Sequence, residues 1–148
     1  MNWFDREEFV RPHPHTGDKI DWWRKMDPNL LVIMDEFREL WGTYVIISPS
    51  PWALGRFTNT SSQHSYPRHG MVKGVDLMPY GIEERGLREA YNLALQTGAG
   101  GIGLYPDWNP RPGIHLDSRP KGTRPAQWAG IRDDKGRVRY VGVEEAFK

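Results

Sequence analysis

The sequence predicts an α+β fold, a small central antiparallel sheet with helices packed on one side, and three observations carry that reading. Two segments, at about residues 27–41 and 83–96, repeat apolar residues at three- and four-residue spacing, the mark of amphipathic helices. The strand candidates are short pieces scattered around those helices and not regular βαβ units, which favours antiparallel pairing with the helices segregated to one face. The chain has 148 residues and 17.1 kDa, enough for one core and a single domain over 1–148. No apolar run approaches the ~20 residues that a bilayer span requires, so no membrane association is expected.

Taken in order, the start MNWFDREEFV carries acidic charge where an export signal needs a basic end and an apolar run, so none is read there. His13 and His15, in RPHPHTG, read as a solvated loop. The first helix opens with Asp27 as N-cap and Pro28 in its first turn, where the missing N–H costs nothing, and Gly42 stops it. Leu30, Ile33, Met34, Phe37 and Leu40 form its apolar face. A strand at Tyr44–Ser48 leads into a long irregular segment through Gln63, and a second strand is expected at Val72–Met78. The second helix carries Leu87, Ala90, Ala94 and Leu95, and Gly98–Gly101 end it. Ile102–Tyr105, Gly113–Asp117 and Arg137–Val141 are the remaining strand candidates.

Twenty Lys and Arg against nineteen Asp and Glu leave a net charge of +1, which argues against a nucleic-acid partner held by many phosphate contacts. The absence of cysteine excludes disulfides, thiolate metal sites and cysteine nucleophiles, so any metal must sit on His, Asp or Glu. No nucleophile elbow for serine catalysis is present.

Strand alternation puts His115 and Asp117 of GIHLD on one face and Ile114 and Leu116 on the other. In VKGVDLM it puts Asp76 beside Gly74, whose lack of a side chain suggests open space next to a carboxylate. His64, Asp76 and His115 could supply the two imidazoles and one carboxylate of a catalytic zinc site with an open position. The spacing alone does not separate this from a set of ordinary hydrogen-bonded histidines, because the i, i+4 pair of a helical H-E-x-x-H site is absent.

The strings SQHSYPRHGMVKGVDLMP and GIGLYPDWNPRPGIHLDSRP resemble the zinc peptidases that include D-Ala-D-Ala carboxypeptidases, vancomycin-resistance dipeptidases and phage L-alanyl-D-glutamate endolysins. The matching motifs are Ser62-Gln63-His64, Gly74-Val75-Asp76 and His115-Leu116-Asp117. DREEF, DEFRELWG and YVIIS resemble the family's upstream segments. The resemblance implies the fold shared by Hedgehog domains and D,D-peptidases, with one Zn²⁺ per chain on His64, Asp76 and His115. His69 stands seven residues before Asp76, the commoner family spacing, but His64 follows Ser-Gln as the motif does and is preferred. Many relatives carry a general base three residues before the last histidine; that position here is Pro112, so the role passes to Asp117 or to Asp107.

Arg56 resembles the family's arginine that holds a substrate carbonyl or carboxylate. Ser62, His69, Tyr105 and Trp108, with Trp128, are expected along the substrate groove. The implied activity is zinc-dependent hydrolysis of peptidoglycan stem peptides by a monomer, as a D,D-carboxypeptidase or an endolysin-type endopeptidase. Such a protein would leave the host cytoplasm late or ride on a virion. The alternative is a non-catalytic virion or wall-binding module that keeps the fold. A carboxylate beside the metal site separates the two.

Overall fold

The computed structural model describes residues 2–148. It is an α+β fold built on a six-stranded sheet. The strands, after a small antiparallel hairpin of β1 (Val10–Pro12) and β2 (Lys19–Asp21), are β3 (Val45–Ile47), β4 (Gly74–Pro79), β5 (Gly101–Tyr105), β6 (Gly113–Asp117), β7 (Ala126–Arg132) and β8 (Val138–Val141). The helices are α1 (Pro28–Trp41), α2 (Tyr66–His69), α3 (Ile82–Arg85) and α4 (Leu87–Ala94). Sheet order is β3-β4-β6-β5-β7-β8.

The first helix forms as its caps require: the Asp27 side chain accepts from the Asn29 N–H, Pro28 opens the helix, and Gly42 closes it in the left-handed region at φ 85°. Leu30, Ile33, Met34 and Phe37 are buried, but Leu40 is exposed and Trp41 takes the core position instead. The second helix is a correction. It is two helices, because Gly86 at φ 90°, ψ 156° leaves the helical region between α3 and α4.

The sheet is mostly antiparallel, as expected, with one parallel pair, β5 and β7. The reason is the path of the chain. β6 runs back along one edge of β5, which returns the chain to the start of β5, and residues 118–125 then carry it across to the other edge. There Ala126 N–H donates to the Gly100 carbonyl, while Gly100 N–H donates to that of Asp117. Strand β7, missing from the sequence reading, hides behind a Pro-rich approach and a mixed pattern, AQWAGIR.

Alternation divides the sheet into two working faces. Val75 and Leu77 of β4, Ile102 and Leu104 of β5, and Ile114 and Leu116 of β6 are all fully buried, packed with α1 and α4 into one core. The opposite face of the same strands holds the polar residues.

Candidate metal site and cavity

Asp76 of β4 and His115 of β6 are direct cross-strand partners, and Gly103 of β5 faces His115 on the other side. His64 arrives from the loop before α2. That loop is tied down by its backbone: Arg56 N–H donates to the His64 carbonyl, Tyr66 N–H to that of Arg56, and Lys73 N–H to that of Gln63. The Ser62 hydroxyl accepts from the His64 N–H at 3.2 Å and so holds the ligand loop in its turn. His64, Asp76 and His115 are buried, and one donor atom of each lies within 4.8 Å of the others. The three residues could hold a metal ion.

The proton positions favour that. His64 Nδ1 lies 2.5 Å from the Leu54 carbonyl, which can only accept, so Nδ1 carries the hydrogen. His115 Nε2 lies 2.8 Å from Asp117 Oδ2 and donates to it. With their other nitrogens held this way, His64 Nε2 and His115 Nδ1 both face the same oxygen, Asp76 Oδ1, at 3.2 and 3.1 Å. In their neutral form the two rings would present lone pairs to a cation beside that oxygen, and an imidazole anchored through its second nitrogen is the usual form of a metal-binding histidine.

Without a metal, a proton takes the cation's place. Burial alone would lower the His115 pKa, but hydrogen bonds to Asp117 and Asp76 and their charges push it up to about 9. Burial likewise opposes ionisation of Asp76, yet the charge of His64 and bonds from both imidazoles hold its carboxyl well below the usual range. The site is organised for positive charge.

Gly74 does not leave open space beside Asp76: a Cβ there would stand 2.9 Å from the His115 ring and 3.1 Å from Gln63 Cβ. The missing side chain makes room for the His115 ring itself. Similar close approaches recur across this face, with Trp128 lying over Gly103, Tyr105 over Gly130 and Trp108 over Gly113.

The triad forms part of the wall of an open cavity of about 790 Å³. Of the residues expected there, Arg56, Ser62, Tyr105, Trp108 and Trp128 line it. His69 does not. Its Nε2 donates to the Ser62 carbonyl at 3.0 Å and braces the loop that carries His64. Asp117 is fully buried behind His115, where Oδ2 also accepts from Arg119 and Oδ1 accepts from the Arg119 backbone and side chain, so it orients the histidine instead of facing the cavity. Burial raises its carboxyl, but bonds from His115 and Arg119 outweigh that and lower its pKa to about 2. Asp107 is exposed and accepts from the Arg132 backbone N–H at 2.8 Å, outside the cavity lining. Neither carboxylate expected as general base lines the cavity.

The sequence reading missed Ser48, Trp52, Arg119, Arg132 and Tyr140, which also line the cavity. Arg119 was within reach, two residues after Asp117; Arg132 and Tyr140 depended on the unrecognised pairing of β7 with β8. His13 and His15 sit at the turn of the β1–β2 hairpin. There His13 Nδ1 accepts from the N–H groups of His15 and Thr16, and its ring stacks near Phe57. Among the described residues, no helix is long and apolar enough to cross a membrane. Compared with protein-family models, curated proteins and solved structures, the chain finds no match.

Proposed function

We propose that this chain is a zinc-dependent peptidase of peptidoglycan stem peptides, a D,D-carboxypeptidase or an endolysin-type endopeptidase released late from a host cell or carried on a virion. The observation that carries the reading is the convergence of three donor atoms, their ring protons held on the far sides, at an open cavity large enough for a peptide. Two imidazoles and one carboxylate with an open side are a donor set for catalytic zinc, and the order of the Ser-Gln-His, Gly-Val-Asp and His-Leu-Asp motifs supports that choice. Bound zinc would supply a water of lowered pKa and polarise the scissile carbonyl.

The chain's own residues do the rest. The Leu54 carbonyl and Asp117 keep both imidazoles in the ligating tautomer. Arg56 has no carboxylate partner among the described residues and offers its guanidinium to a substrate carbonyl or carboxylate. Tyr105, Trp108 and Trp128 form an aromatic wall for the peptide.

A second reading, a wall-binding or virion module without hydrolysis, is favoured by one observation. Asp76 is the only carboxylate among the cavity-lining residues. One experiment separates the two. The purified chain is reconstituted with zinc, its metal content measured beside His64→Ala, His69→Ala, Asp76→Ala and His115→Ala, and each protein incubated with purified peptidoglycan. One zinc per chain, kept by His69→Ala and lost by the other three, together with new stem-peptide termini by mass spectrometry, supports the peptidase. Zinc and sedimentation with peptidoglycan but no new termini support the module. No zinc after reconstitution overturns the peptidase.

A further inference from the structure

Tyr105 enters the cavity at the end of β5, and its surroundings fix where the hydroxyl points. The ring lies across Gly130, where a Cβ would stand 2.4 Å from its edge, and stacks on Trp108 with centroids 4.1 Å apart and planes 9° from parallel. Trp128, whose ring centroid is 5.4 Å from that of His115, donates its indole N–H to the Tyr105 oxygen at 2.9 Å. This is the hydroxyl's only hydrogen bond among the described residues. A phenol has one O–H to give as well as lone pairs to receive. Here a donor occupies the receiving side, and the O–H is left for something in the cavity. Burial, opposed by the Trp128 bond and reinforced by the charge of Asp76, holds the phenol well above its ordinary pKa, so it keeps its proton.

We propose that Tyr105 is a catalytic hydrogen-bond donor, its O–H given to the substrate oxygen on which negative charge develops as the scissile carbonyl is attacked. The proposal rests on the peptidase reading and deepens it. In the hydrolysis the C–N bond breaks, the carbonyl carbon gains the hydroxyl of one water and the leaving amine gains its proton, while Tyr105 retains its own. A donor clamped by two tryptophans before the reaction needs no reorientation during it, and that is the condition under which such a group stabilises a transition state more than a ground state.

The test compares the zinc-reconstituted full chain with Tyr105→Phe, which keeps the ring over Gly130 and against Trp108. Both are given muropeptides, then a phosphinate peptide replacing the amide at the bond the unaltered chain cuts, then the uncleaved product peptide. Expected are unchanged zinc content and thermal midpoint, a kcat lower by about 100-fold, and a KM within about twofold. By calorimetry, phosphinate affinity falls by a comparable factor and product-peptide affinity does not. A variant with kcat close to the unaltered chain's, or one that weakens phosphinate and product peptide equally, overturns the role. If the unaltered chain cuts no muropeptide, the peptidase reading fails and takes the proposal with it, an outcome read without the variant.

Discussion

A carboxylate two positions from a ligating histidine on one strand face can serve the metal's open side or the back of the imidazole, and at Asp117 the neighbouring backbone decides. Gly101 faces it across β5 and β6, and a Cβ there would lie 2.2 Å from Oδ2, so the carboxylate fits only because that position is bare. Arg119 then grips both oxygens at 2.8 and 2.7 Å. Asp117→Asn is expected to weaken zinc binding by about 10- to 100-fold in a chelator competition, because an amide turned to accept from His115 presents its NH₂ to Arg119. His69→Ala should bind zinc like the unaltered chain, since its imidazole holds only a loop carbonyl. The convergence of the three candidate ligands was partly legible: alternation placed Asp76 and His115 on polar faces, and Ser62-Gln63 singled out His64. The part played by Asp117 was not, because it depends on the register that sets Gly101 opposite it.

At the scale of elements, the central strands divide their residues by parity. The apolar positions of β4, β5 and β6 build the core with α1 and α4, and the alternate positions pair glycines with large polar or aromatic rings. Such a face is close-packed without looking apolar in sequence. Gly103→Ala puts a methyl group 2.7 Å from the Trp128 indole, so the ring or the strand must move. The expected loss is about 1–3 kcal/mol in urea unfolding, the usual range for an overpacked site. Gly122→Ala, whose new methyl group would meet only the Arg124 carbonyl at 3.9 Å, should change stability by less than about 0.5 kcal/mol. Equal losses from the two would mean that the paving has no energetic content. The same local logic explains which elements could be read ahead. Helix α1 announces both ends by its caps, whereas the break at Gly86 and the parallel entry of β7 are set by backbone conformation and by the path of residues 118–125.

Across the whole molecule, the three candidate ligands come from parts held in different ways. Asp76 and His115 sit on the adjacent inner strands β4 and β6, backed by the core, while His64 belongs to a loop joined to the sheet by a few backbone bonds. Without a metal the three atoms, within 4.8 Å of one another, are joined by an exchangeable proton between His115 and Asp76, and a bound ion would replace it with a firmer tie between loop and sheet. Zinc should therefore stabilise the folded chain by mass action, by about 2.7 kcal/mol at a free concentration a hundred times its dissociation constant. A chelator should lower the thermal midpoint of the reconstituted chain and leave that of Asp76→Ala unmoved. The local consequence is sharper. Amide hydrogen exchange should quicken on chelation at residues 54–65 and stay slow at the buried apolar positions of β4 and β6, because the core that protects those strands lies on the opposite face from the ligands. A uniform change over the whole sheet would mean that the metal supports the fold as a unit, and no change in the loop would mean that its backbone bonds to Arg56 and Lys73 already suffice to place His64.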